Sequence, residues 1–188
     1  MTRETMTLTP QQPTAEAFAP YGTMLGRDID FADAAPERLS WHEAATDFRH
    51  EHDFDTAGGT PEFIWVRYRN PGPEITRLEM HLFTEQAVVP LTGAPIIHIV
   101  GRSLAGKPEQ PDPDSLTAFL VPAGTGLCMA PGIWHASLAP NGEAICLMLT
   151  RRSTQEDLVG HLMHGSEARE SRIVTLADLG WPTLRMAG

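Results

Sequence analysis

The sequence has no long apolar run, and nothing in it approaches the ~18 apolar residues that a membrane helix needs. Its opening, MTRETMTLTPQQP, lacks the apolar segment of a secretory signal peptide. Basic clusters are missing too: Arg151-Arg152 is only a pair, and the formal net charge is -10. Such an excess of acid repels phosphate backbones and anionic lipid, which argues against nucleic-acid and membrane partners. A small anionic substrate remains compatible, because one or two arginines inside a pocket outweigh a distant net charge. Cysteine is scarce. Cys128 and Cys146 both lie in apolar runs and read as buried small hydrophobes of a reducing compartment, with a disulfide between neighbouring strands as the alternative. The expectation is a soluble cytoplasmic protein.

What is plentiful is punctuation. Sixteen glycines and sixteen prolines in 188 residues favour short strands joined by turns over long helices, and the length suits one sizeable core. TAEAFAPYG (14–22) reads as a short helix or turn with Thr14 as N-cap and Pro20 and Gly22 closing it. Residues 27–60 are polar with weak periodicity, so irregular structure with an edge strand is expected there. Strand signals begin at FIWVRYR (63–69) and continue through LEMHLF (78–83), QAVVPL (86–91), PIIHIVG (95–101), LTAFLVP (116–122), GLCMAP (126–131) and AICLMLT (144–150). Runs at roughly ten-residue spacing with Gly/Pro turns between them indicate an all-β sandwich or barrel. No alternating βαβ pattern is present. After Thr150 the character changes: QEDLVGHLMHG (155–165) has helix-like spacing and IVTLADLGWP (173–182) follows it, a partly helical tail expected to pack on the barrel or on a second subunit. The expected division is 1–152 as the β domain and 153–188 as the extension.

The chemistry concentrates in the central strands. Glu79 and His81 lie two apart and share a strand face with Phe83, opposite Leu78, Met80 and Leu82. Gln86 follows a turn, and His135 follows a Pro-Gly turn in APGIWH. Polar side chains facing a β interior are costly unless paired, protonated or coordinated. Imidazole, carboxylate and amide oxygen suit a borderline divalent metal such as nickel, zinc, iron or manganese, and equally suit acid–base work without one.

Glu79-x-His81-x4-Gln86-x6-Gly93 resembles the first cupin motif, and Pro131-Gly132-x-x-His135 resembles the second. A closer resemblance is to the ureidoglycolate lyase family, carried by EAFAPYGTML (16–25), LEMHLFTEQAVVPLTG (78–93) and LTAFLVPAGTGLCMAPGIWH (116–135), with Arg69 similar to the arginine that family has before its first motif. The resemblance implies a single small cupin antiparallel β-barrel with these polar side chains inside it, and a homodimer. It further implies cleavage of ureidoglycolate to glyoxylate and urea. Within that frame Glu79, His81 and His135 are the catalytic candidates. His81, Gln86, His135 and Glu79 are the candidate ligands of a divalent metal (Ni, Zn or Mn), and Glu79 is either a fourth ligand or the general base. Arg69 is assigned to the substrate carboxylate, and Gln86, His98 and Trp134 line the substrate space. For His98 a satisfied structural histidine is the preferred reading, and for Trp134 a core or cavity wall. Two departures stand out: Met80 replaces the family's arginine between Glu and His, and Ala136 replaces a histidine after Trp-His. They favour, as an alternative, a non-catalytic binding or sensing pocket; another metal-cupin enzyme, a dioxygenase or isomerase, is a further alternative, against which Glu79 and Gln86 in place of the commoner His and Glu ligands speak. FRHEH (48–52) loosely echoes a family motif and offers His50 or His52 as outlying candidates. Cys128 has no base near it in sequence.

Overall fold

The computed structural model describes residues 5–26, 40–70, 72 and 74–187. The chain is mostly β, built around two five-stranded antiparallel sheets. One, the site sheet, runs in the order Thr117–Val121, Ile96–Gly101, Trp134–Leu138, Arg77–His81, Ser171–Thr175. The second runs Gly22–Leu25, Gly126–Met129, Gln86–Gly93, Glu143–Arg151, Pro61–Arg69.

Alternation along these strands sorts side chains into two apolar layers. Ile96, Val100, Phe119 and Val121 of the site sheet meet Val88, Leu127, Met129 and Cys146 of the second sheet in an inner core. The reverse face of the site sheet carries Leu78, Met80, Ile97, Ile99, Trp134 and Leu138, which form an outer core with Leu176 and Leu184 of the tail. A three-stranded sheet of Met6–Leu8, Leu184–Met186 and Glu74–Ile75 contributes to that cover.

The closed barrel expected from the motifs is not seen. Among the described residues no strand ladder joins the two sheets. Their edges are occupied otherwise: Gln11 bridges to Phe119 on the edge strand Thr117–Val121, and the tail strand Ser171–Thr175 is added at the opposite edge of the site sheet.

The N-terminal helix is short, Ala15–Phe18, and Thr14 caps it by accepting a hydrogen bond from the Ala17 amide at 3.1 Å. Of the polar stretch 27–60, residues 27–39 lie outside the described residues, Ser40–His42 pairs with Asp47–Arg49 as a hairpin, and 50–60 is irregular. The tail is only half helical. Arg152–His164 is a helix closed by Gly165 in the left-handed region, after which the chain returns as a strand along the site sheet. No helix among the described residues is long and apolar enough to cross a membrane.

Candidate active site

The inner face of the site sheet brings the polar candidates together. Arg77–His81 alternates so that Arg77, Glu79 and His81 share one face, and His135 stands directly opposite Glu79 in the ladder. The turn before His135 is fixed to the same strand: Gly132, at φ +79°, donates its N–H to the His81 carbonyl at 2.7 Å. A side chain there would have to adopt a left-handed backbone, so glycine suits the position. The His81 and His135 rings lie 5.1 Å apart, and His135 Nε2 is 3.4 Å from Glu79 Oε1.

Hydrogen bonds set the tautomers. The Ile133 carbonyl accepts from His135 Nδ1 at 3.0 Å, so in the neutral ring Nε2 keeps its lone pair. That atom is buried and has no hydrogen-bond partner. Gln86, reaching across from the second sheet, places its amide nitrogen 2.8 Å from His81 Nε2 and donates to it, leaving His81 Nδ1–H to donate to Ser171 Oγ at 3.0 Å. Burial, then the neighbouring His135, push His81 down to about 4, so it is neutral at pH 7. Burial alone would raise the Glu79 carboxyl, but His135, then His81 and Arg77, together outweigh it and hold the carboxyl below its ordinary value.

One nitrogen or oxygen each from Glu79, His81 and His135 lies within 4.8 Å of the others. Two imidazoles and a carboxylate are a donor set for borderline divalent ions, and the unpartnered His135 Nε2 supplies a lone pair with nothing else to bind. The residues therefore fit a divalent metal. Gln86 joins the set if its amide turns to present oxygen.

A cleft of about 350 Å³ opens onto this group and is lined by Tyr68, Arg77, Glu79, His135, Ser137 and Leu162, among others. That size matches small-ligand sites. Glu79, with 35% of its side chain exposed, faces it, whereas His135 is 5% exposed at its inner end.

Three expected residues sit elsewhere in the arrangement. Arg69 is not brought to this group. It lies on the outward face of Pro61–Arg69, 3.9 Å from Glu143, and its neighbour Tyr68 faces the cleft instead. Trp134 points away from His135 into the outer core and donates its indole N–H to Ser103 Oγ at 3.0 Å. It is a core residue rather than a cavity wall. His98 does face inward, stacked on His135 at 6.0 Å, but both its nitrogens are engaged, Nδ1 with Ser137 Oγ at 2.7 Å and Nε2 with Met129 Sδ at 3.0 Å. It is a satisfied structural histidine beside the site. His50 and His52 pair with Asp53 and Glu85 and do not join it.

Sequence reading missed Arg77, Tyr68 and Ser171. Alternation from Glu79 back to Arg77 was a usable signal for the first. The phase of FIWVRYR was the missing information for the second. Nothing in the sequence near His81 pointed to Ser171, 90 residues away.

Comparison with known proteins agrees with the motifs. A family model described as ureidoglycolate lyase matches residues 5–168. A ureidoglycolate lyase of Brucella anthropi is 29% identical over 159 residues, covering 82% of this chain and 86% of its own length. One of Rhodobacter capsulatus is 33% identical over 134 residues, covering 69% and 76%. Among solved structures, a dTDP sugar isomerase of Desulfovibrio desulfuricans superposes with a TM-score of 0.40 at 14% identity, over 73% of this chain and 80% of that one. Motifs, site residues and a match spanning most of the chain agree: this protein belongs to the ureidoglycolate lyase family.

Proposed function

We propose that this chain is a carbon–nitrogen lyase of the amidine-lyase class that cleaves ureidoglycolate to glyoxylate and urea, at the Glu79–His81–His135 group. The observation that carries the reading is the buried, unpartnered lone pair of His135 Nε2 beside an ionised Glu79, at the inner end of a cleft sized for a small molecule.

Ureidoglycolate bears a hydroxyl, a carboxylate and a ureido nitrogen on one carbon. Arg77, on the cleft wall two residues before Glu79, takes the carboxylate in place of Arg69. Glu79 accepts the hydroxyl proton as the C–O bond becomes the carbonyl of glyoxylate. The C–N bond breaks, and the same carboxyl, an easy proton donor because its affinity for protons is low, returns the proton to the departing nitrogen to complete urea. His135 stands 3.4 Å from Glu79 at the inner end of the cleft, and Gln86 and Ser171 hold the neighbouring His81 in place. His81, His135, Glu79 and Gln86 are the residues that would hold a divalent metal, which when bound polarises hydroxyl and carboxylate oxygens as a Lewis acid.

Met80 belongs to the outer core, so its departure removes no polar group from beside Glu79, whereas Ala136 packs against that core and also lines the cleft. Incubating the protein with ureidoglycolate is expected to yield equal amounts of urea and glyoxylate. His135→Ala, with folding checked by circular dichroism, is expected to lose about 10²–10⁴-fold of that activity. Full activity in the variant would remove this site from the mechanism.

The homodimer has a place in the same reading. Phe63 and Trp65, each 69% exposed, stand on the outward face of the sheet-edge strand Pro61–Arg69. Large exposed apolar side chains on a sheet edge are what a second copy would cover.

A further inference from the structure

We propose that His52, Glu85 and Cys128 form a second cation site, of the zinc type, on the outer face of the second sheet. The three side chains come from separate segments: the irregular stretch 50–60, the turn before Gln86–Gly93, and the strand Gly126–Met129. One ligand atom of each, a nitrogen, a carboxylate oxygen and a sulfur, lies within 4.8 Å of the other two. His52 Nε2 is 2.9 Å from Glu85 Oε2.

The site is distinct from the one already described. Gln86 turns inward to His81, whereas its neighbour Glu85 turns outward to His52. Met129 turns inward to His98, whereas its neighbour Cys128 turns outward beside Glu85. Thiolate, imidazole and carboxylate with one open position is a zinc donor set, and sulfur makes it softer than the Glu79–His81–His135 group. Access exists: the His52 and Glu85 side chains are 23% and 15% exposed, while Cys128 is buried behind them.

The segment it would hold is already drawn to this place. Glu85 Oε2 accepts from the Asp55 amide at 2.8 Å, and the Glu85 amide donates to the Asp55 carbonyl at 2.9 Å. A cation bound by His52, Glu85 and Cys128 would staple residues 50–60 to the sheet. Burial and the adjacent Glu85 carboxylate hold the Cys128 thiol up at about 12, so the ion must displace the thiol proton into solvent.

Cobalt(II) is the discriminating probe, because, of the two candidate sites, this one offers a thiol. Protein purified without a metal-affinity tag and stripped with chelator is titrated with cobalt(II) and followed by near-ultraviolet absorption. A thiolate-to-cobalt charge-transfer band is expected in the unaltered protein and in His135→Ala, and is expected to vanish in Cys128→Ala. His52→Ala, a change in an irregular segment that should leave the fold intact, is expected to weaken zinc binding by more than about tenfold in competition with a chromogenic chelator. Absence of the band in the unaltered protein, its survival in Cys128→Ala, or unchanged zinc affinity in His52→Ala would overturn the site. None of these readouts depends on turnover, so they stand apart from the proposed lyase reaction.

Discussion

Ser171 stands directly across the strand ladder from His81, and its hydroxyl lies 3.0 Å from His81 Nδ1. A residue of the C-terminal tail thus fixes the ring orientation of a histidine in the candidate active site. Hydrogen-bond partners of this kind typically contribute 10- to 100-fold when the histidine binds a metal. Ser171→Ala is expected to lower kcat about tenfold with KM little changed, and Ser171→Thr, which keeps the hydroxyl, to recover most of the loss. Equal kcat in the alanine variant would show that the contact does not position His81.

Arg77 and Arg69 make opposite predictions. Arg77 shares the cleft with Glu79 and His135, whereas Arg69 faces outward beside Glu143. A charged hydrogen bond contributes about 1.5–3 kcal/mol, which corresponds to a rise in KM of about ten- to hundredfold in Arg77→Met. Arg69→Met is expected to leave KM within about twofold, since an exposed ion pair contributes little. Steady-state kinetics of the two variants, side by side, decides the assignment.

Acid should destabilise the fold through two buried histidines. Burial, and then His135, lower His81 to about 4 and His98 to about 3, from an ordinary 6.5. Both are depressed in the folded state, so between these values and 6.5 the unfolded chain binds the extra protons. Stability is therefore complete above about pH 6.5 and falls as pH drops toward 4 and then 3. Urea midpoints measured from pH 7.5 to 4.5 are expected to decline, with these two rings contributing up to about two protons taken up on unfolding near pH 5. Replacing His98 by asparagine should remove about one of those protons from the slope.

The exposed Phe63 and Trp65 supply a test of self-association. Sizing chromatography with light scattering is expected to give a dimer for the unaltered protein and a monomer for Trp65→Glu, because a buried, unpaired carboxylate would be costly at the interface. A unaltered protein that elutes as a monomer at all concentrations would remove the dimer from the reading.

Glu79, His81, Gln86 and His135 were legible because period-two alternation and motif spacing are local properties, and the strands did pair so as to bring them together. Arg69 was misplaced for a physical reason. FIWVRYR is apolar on both faces, with Phe63 and Trp65 outward and Ile64 and Val66 packed inward, so hydrophobicity alone could not set its phase. Trp134 is ambiguous in sequence, because without the outer core that the tail completes both faces of its strand could be wall or surface. Barrel closure was overestimated because motif residues specify the centre of the sheets, while closure depends on their edges, where Gln11 and the tail strand intervene. Cys128 looked isolated in sequence, and its neighbours His52 and Glu85 arrive from segments that only the folded chain brings together.

The zigzag of Arg77–His81 has a consequence for mutational scanning. Leu78 and Met80 project into the outer core, while Glu79 and His81 project toward the cleft side. In a library saturating this strand, damaging changes at 78 and 80 should appear as poor soluble yield, and those at 79 and 81 as normal yield without product. Two phenotypes would then alternate residue by residue along a single stretch of backbone.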